Sequence, residues 1–197
     1  MLLIRHSRDW PSDLPGPVVA VGNFDGLHKG HLAVIKTALR RARDMSRPVA
    51  VLTFEPHPKQ YFHPADPPFR LTPLHVKTRL LEAMEIDALI VLTFDDELAG
   101  MTADAFMNEV LIKEIGAAAV VVGDNFAFGQ NRMGAAAHLA ANGRFVLDLV
   151  PQMGDANGPY SSSRAREALS AGDMDAVRAV LGRDWRIENR SPCQARG

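Results

Sequence analysis

The chain has 197 residues with 22 Lys+Arg against 23 Asp+Glu, giving a formal net charge of −1, which argues against a nucleic-acid coat or a binder of anionic membranes. A hydrophobic fraction of 47% with 23% charged residues excludes wholesale disorder. A single cysteine, Cys193, excludes an internal disulfide framework and a Cys-rich zinc site, and with no visible targeting signal and no apolar run of the roughly 18 residues that span a bilayer, a cytoplasmic protein is expected.

In chain order, the apolar run 18–24 predicts a buried strand. A helix follows at 31–45, where Leu32, Ile35, Leu39 and Ala42 recur at helical spacing. A second strand is predicted at 48–54, and a helix at 73–84 with Thr72 as N-cap and Pro73 at its first position. The run 88–94 gives a third strand, and a helix at 102–115 stops at Gly116. A fourth strand occupies 118–123, a helix 134–142 and a fifth strand 144–150, followed by short helices at about 162–171 and 173–181. Alternating strands and helices imply parallel pairing with right-handed crossovers, and strands without polar alternation imply helices on both faces. The expected fold is therefore α/β, a Rossmann-like parallel sheet of about five strands that binds ligands beyond the strands' carboxyl ends. The proline-rich segment 55–73 is long for a connection in such a domain, a length that goes with function or disorder. The acidic run Phe94-Asp95-Asp96-Glu97 reads as a solvated loop.

The first strand runs into Gly22-Asn23-Phe24-Asp25-Gly26-Leu27-His28-Lys29-Gly30-His31. Small residues let a ligand approach the backbone closely. The helix that opens near Gly30 aims unpaired N–H groups and its positive dipole end at the same spot. His28 and His31 both face that spot if the helix begins between them. Together these features read as a polyphosphate site, although a bare HxxH is also what a metal pair or two surface imidazoles would give. Neither GxxxxGK[ST] nor GxGxxG is present. Near the other end, Ser161-Ser162-Ser163-Arg164-Ala165-Arg166 precedes a short helix. Ser162 or Ser163 is expected to cap it, and Arg164 and Arg166 supply fixed charge that grips phosphate oxygens.

HxGH in this setting resembles the signature of the nucleotidyltransferase superfamily. Four segments extend the likeness in order: Gly22 to Gly26, Thr53-Phe54-Glu55-Pro56-His57-Pro58, Val122-Gly123-Asp124-Asn125-Phe126-Ala127-Phe128-Gly129, and Ser161 to Arg166. Together they resemble the FMN adenylyltransferase module of the bifunctional prokaryotic riboflavin kinase/FAD synthetase, over about residues 17–187. The chain departs from the commoner family residues at Asn125, Ala127 and Ala165. The resemblance implies transfer of the adenylyl group of ATP to FMN, giving FAD and pyrophosphate, with Mg²⁺ accompanying ATP and no resident metal site on the protein.

On this reading His28, His31, Asn125, Ser162 and Arg166 serve catalysis. Gly22, Asn23, Phe24, Asp25, Gly26, Gly30, Ser163 and Arg164 bind ATP. Phe54, Pro56, Pro58, Phe62, Asp66 and Phe128 bind the flavin, because a flat apolar ring system suits a pocket of prolines and aromatics. His57 belongs to the same motif with either a flavin-loop or a structural role. Other readings are an acceptor different from FMN among phosphorylated cofactor precursors, and a non-catalytic flavin or nucleotide-binding module. The resemblance also implies residues 1–187 as the adenylyltransferase domain and 188–197 as a tail where a riboflavin kinase domain would begin, the partner to which the module is normally fused.

Overall fold

Six parallel strands form the centre of the computed structural model, which describes residues 1–66 and 70–186. They are β1 (Leu2–Ile4), β2 (Val18–Val21), β3 (Val49–Glu55), β4 (Ala88–Thr93), β5 (Ala119–Gly123) and, after two short strands β6 (Ala127–Phe128) and β7 (Gly134–Ala135), β8 (Val146–Val150). The spatial order is β1-β4-β3-β2-β5-β8, every neighbour pair parallel. From β2 the chain builds outward through β3 and β4 on one side, then returns to build β5 and β8 on the other. The order therefore reverses between β2 and β5, and the loops leaving those two strands diverge to open a crevice at the sheet's carboxyl edge.

Side chains of one strand alternate between two cores. Val19, Val21, Leu52, Ile90, Val120 and Val122 pack with Phe106, Leu111, Ile115 and Leu139. Val18, Ala20, Val51, Leu89, Val91 and Val121 pack against Val34, Ile35, Ala38 and Leu81. The second set belongs to α1 (Lys29–Met45) and to α3 (Leu74–Glu82), which follows a short α2 (Pro58–Phe62). On the first face lie a helical segment of α5 (Ala103–Ala105) continuing as the π-helix Phe106–Glu114, preceded by α4 (Asp96–Gly100), and α6 (Ala136–Asn142). A hairpin of β9 (Gly154–Asp155) and β10 (Gly158–Pro159) precedes α7 (Ser162–Ser170) and α8 (Met174–Leu181), which share a small core of Leu71, Ala165, Val177, Val180 and Leu181. No helix among the described residues is long and apolar enough to cross a membrane.

Several expectations need correction. The sheet has six strands because the Leu2–Ile4 run pairs with β4; with Leu2 and Leu3 exposed it carries no buried-strand pattern. Pro73, not Thr72, is the N-cap of α3, and no side chain caps that helix. The predicted 102–115 helix starts where expected, with Thr102 as its N-cap, but changes to π geometry, with Ile115 N–H donating to the Val110 carbonyl five residues back. The proline-rich segment contains α2, with His57 as its N-cap and Pro58 in its first turn. Asp95 caps α4, so the acidic run is a helix start and not a free loop. Cys193, the domain boundary at 187 and the tail 188–197 lie outside the described residues.

Candidate active site

The crevice at the switch point is a cavity of about 1160 Å³ bordered by the loops after β2, β3, β4, β5 and β8 and by the start of α7. At its base α1 begins. His28 is the N-cap, its Nδ1 accepting the His31 N–H at 3.3 Å. An accepting Nδ1 leaves the imidazole proton on Nε2. One helical turn brings the two rings into a stack, centroids 3.6 Å apart at 23°. Phe24 meets His31 edge-on at 5.2 Å and fixes its orientation. Gly30 lies where a Cβ would come 3.1 Å from His28 Nδ1, so a side chain there would crowd the cap.

Burial drives the electrostatics. It pushes the His28 pKa down to about 4, against the pull of Asp25. It pushes His31 well below its usual value, assisted by His28, Lys77 and His57. It also lowers His57 to about 4. All three are therefore neutral at pH 7 and act as hydrogen-bond donors and dipoles. Their folded-state values lie below 6.5, so the unfolded chain binds protons first as pH falls. Conformational stability is expected to be full above about pH 6.5 and to decline steadily toward pH 4. Urea midpoints measured at pH 7.5 and 5 check this: His57→Gln should show a smaller fall between those two values than the wild type.

The opposite wall is aromatic. Phe54 packs against Phe94 at 6.0 Å and Phe106 at 6.3 Å, while Phe128 is buried and stacks on Phe126 at 5.4 Å and 14°. At the mouth, Phe62 stands on α2 and is 58% exposed, touching Tyr61 and Phe94 only edge-on. Tyr61 donates its hydroxyl to Asp96, which ties α2 to α4.

Of the residues singled out from sequence, Gly22, Asn23, Phe24, His28, Gly30, His31, Phe54, Pro58, Phe62, Asn125, Phe128, Ser162, Ser163 and Arg166 all border the cavity. Five do not: Asp25, Gly26, Pro56, Asp66 and Arg164. Asp25 is buried, and its carboxylate accepts from the Leu71 and Thr72 N–H groups and from Arg166, which makes it an internal tie. Gly26 has φ +84° and abuts Leu71, which answers a turn. Arg164 pairs with Asp155 at 2.9 Å and donates to the Gly158 carbonyl, clamping the β9–β10 hairpin. Pro56 and Asp66 are exposed. Ser161, not Ser162 or Ser163, caps α7; Ser162 instead donates to the Asp25 carbonyl at 2.8 Å.

Sequence reasoning passed over three residues that the fold brings here. Phe94 and Tyr160 border the cavity. Lys77 lies directly behind the β2–α1 loop, donating to the Asn23 carbonyl at 2.8 Å. Its signal was legible: Leu74, Lys77 and Leu81 fall on one helical stripe, a charge among apolar residues.

Comparisons with known proteins fit this geometry. A family model described as FAD synthetase matches residues 11–164. The bifunctional riboflavin kinase/FMN adenylyltransferase of Haemophilus influenzae is 37% identical over 194 residues, covering 96% of this chain and 63% of that protein. The protein of the same name from Escherichia coli K12 is 33% identical over 178 residues, covering 89% of this chain and 57% of its own length. The chain thus spans about 60% of the length of these relatives. Among solved structures, a macrolide-efflux protein from Streptococcus pneumoniae superposes with a TM-score of 0.81 at 28% identity, over 92% of this chain and 61% of that one. The pantoate-beta-alanine ligase of Francisella tularensis shares the fold at a TM-score of 0.51 and 15% identity, over 93% of this chain and 80% of that one. The matched segment holds the histidine pair, the α2 loop, the loop after β5 and the start of α7, and the chain belongs to the FAD synthetase family.

Proposed function

We propose that the chain transfers the adenylyl group of ATP to FMN, forming FAD and releasing pyrophosphate. The observation that carries this reading is the stacked, neutral His28–His31 pair at the N-terminus of α1, facing an aromatic wall within one cavity. Triphosphate charge is favoured at the helix start; a flavin ring is favoured against Phe54, Phe62 and Phe128.

In this reading a phosphate oxygen of FMN attacks the α-phosphorus of ATP. The bond from that phosphorus to the bridging oxygen breaks, and pyrophosphate leaves with the electron pair. Both reactants are anions, so positioning and preorganised donors carry the catalysis. His28 and His31 hold the α- and β-phosphates, Arg166 and Ser163 grip the far end, and Asn125 orients the acceptor. Among the described residues no group of three His, Cys, Asp or Glu side chains is placed to hold a metal ion. A magnesium ion would come as a companion of the triphosphate, completed by water, with charge neutralisation as its contribution. A cytoplasmic setting, where ATP is available, belongs to the same proposal.

Incubation with ATP, Mg²⁺ and FMN, followed by chromatography, should yield FAD and pyrophosphate in equal amounts. Riboflavin, which lacks the attacking phosphate, should give no adenylylated product. Adenylylation of a different phosphorylated acceptor with FMN untouched would reassign the substrate, and binding of both molecules without product would mark a non-catalytic module.

Phe62 offers a separate check on the flavin side. An aromatic left 58% exposed beside Tyr61 and Phe94 has a free face for a ring. Phe62→Ala should weaken FMN binding by about 1 kcal/mol, the worth of an aromatic pair beyond its burial, and leave ATP binding within experimental error. Titrations with each ligand separately decide this; a loss confined to ATP would move the flavin elsewhere.

A further inference from the structure

We propose that Lys77 is a positioning residue for the triphosphate: its ammonium, buried beneath the β2–α1 loop, fixes the Asn23 peptide and lends that loop positive charge. The inference rests on the reading of the crevice as an ATP site.

The loop from Gly22 to His28 holds two non-glycine residues in the left-handed region, Phe24 at φ 48° and Leu27 at φ 44°. Such backbone persists only where its surroundings over-determine it. Here the holding contacts come from behind. The Asn23 carbonyl accepts from Lys77 Nζ at 2.8 Å and from Thr53 Oγ1 at 3.0 Å, and Lys77 also donates to Thr53 Oγ1 at 3.1 Å. Ser162 holds the Asp25 carbonyl and Arg183 the Gly26 carbonyl. In a trans peptide the C=O and N–H point in opposite directions. A carbonyl drawn back toward Lys77 therefore turns the Phe24 N–H to the opposite side, and both Asn23 and Phe24 border the cavity. Asn23 Oδ1 is also buried without a partner among the described residues, an acceptor still to be met at the same point.

Lys77 is 1% exposed, an extreme burial for a lysine. Thr53 and the Asn23 carbonyl, both neutral, are its hydrogen-bond partners. The charged groups around it are Asp25 from the β2–α1 loop, Glu55 at the end of β3 and Arg70 before α3. His31 on α1 and His57 before α2 also feel its charge. Burial lowers its pKa to about 8, with Glu55 and Asp25 opposing and Arg70 adding to the fall. Loss of that proton would remove the charge from beneath the phosphates, so nucleotide affinity should decline as pH rises past about 8.

The test measures binding of magnesium with the α,β-methylene analogue of ATP, by calorimetry from pH 6.5 to 9.5, for wild type, Lys77→Met and Thr53→Val. Circular dichroism monitors folding. For wild type we expect affinity to fall at least fivefold across the alkaline range. Lys77→Met should bind at least tenfold more weakly at pH 7 and lose the alkaline limb, because no titrating amine remains. Thr53→Val, which keeps the amine but removes one of its two partners, should weaken binding about threefold and move the limb. A folded Lys77→Met with wild-type affinity and an unchanged limb overturns the proposal. If Lys77→Met does not fold, Thr53→Val decides, and wild-type values in both respects overturn it. A wild type that binds the analogue but makes no FAD from FMN would overturn the proposed acceptor alone. Failure of wild type to bind the analogue would overturn both readings.

Discussion

His28→Ala and His31→Ala should each lower turnover by about 10²–10³, the usual cost of removing one donor aimed at developing charge. The stacked pair sits at the first turn of α1, where the helix dipole already favours anions, and both imidazoles are neutral at pH 7. A neutral donor at Nε2 supports phosphate charge without a strong prior attraction that would hold the ground state equally well. His28 has a second duty, since its Nδ1 caps α1. Alanine there should also cost about 1 kcal/mol of stability. His28→Asn separates the two duties: asparagine is a good cap, so stability should return while turnover remains low. The residues act as one unit, and the double variant should be scarcely slower than the worse single one. Wild-type turnover in a folded double variant would sink the assignment.

How legible this was depended on whether the signal was local. The five long strands and the start of α1 are written in continuous apolar runs and a glycine-rich turn, and the structure has them within a few residues. β1 was illegible because three residues, two of them exposed, have no periodicity of their own; its place is dictated by the free edge of β4. The π geometry after Ala105 was equally hidden, since Phe106, Met107, Val110 and Leu111 satisfy an α-helical stripe just as well. In the site, most residues that border the cavity were readable from motif and chemistry, whereas Phe94 and Tyr160 were not. Of those that hold the motif from behind, Lys77 left a signal, a charge on an apolar helical stripe, but nothing local said which loop it supports. Arg164 has the same charge and the same helix as Arg166, yet it turns to Asp155 while Arg166 borders the cavity. Two positions on a helix differ by about 200° in direction, so the sequence SSSRAR holds the answer only once the face of α7 is known.

Asp25→Ala should be the most destabilising single substitution at the crevice. The carboxylate is 1% exposed and joins three parts of the fold. It accepts from the Leu71 and Thr72 N–H groups at 3.3 and 3.0 Å, anchoring the chain that leads into α3. It also accepts from Arg166 on α7, which is itself only partly exposed. Removing it takes a carboxylate away from the Arg166 guanidinium and an acceptor away from two buried amides together. Breaking one side of such a pair costs about 3–5 kcal/mol. For a chain of this size 1 kcal/mol shifts the melting temperature by about 2–4 °C, so a fall of roughly 6–20 °C is expected. Asp25→Asn keeps an acceptor for the amides but loses the charge facing Arg166, and should fall between. Combined with Asp25→Ala, Arg166→Met should cost less than the sum of the two single changes, because the Asp25–Arg166 contact is lost only once. These outcomes divide two roles for Asp25. A residue that only bound nucleotide would, as asparagine, raise the KM for ATP and leave the melting temperature unchanged. An internal tie lowers the melting temperature first, and weakens ATP binding only as far as Arg166 and the 22–28 loop lose their alignment.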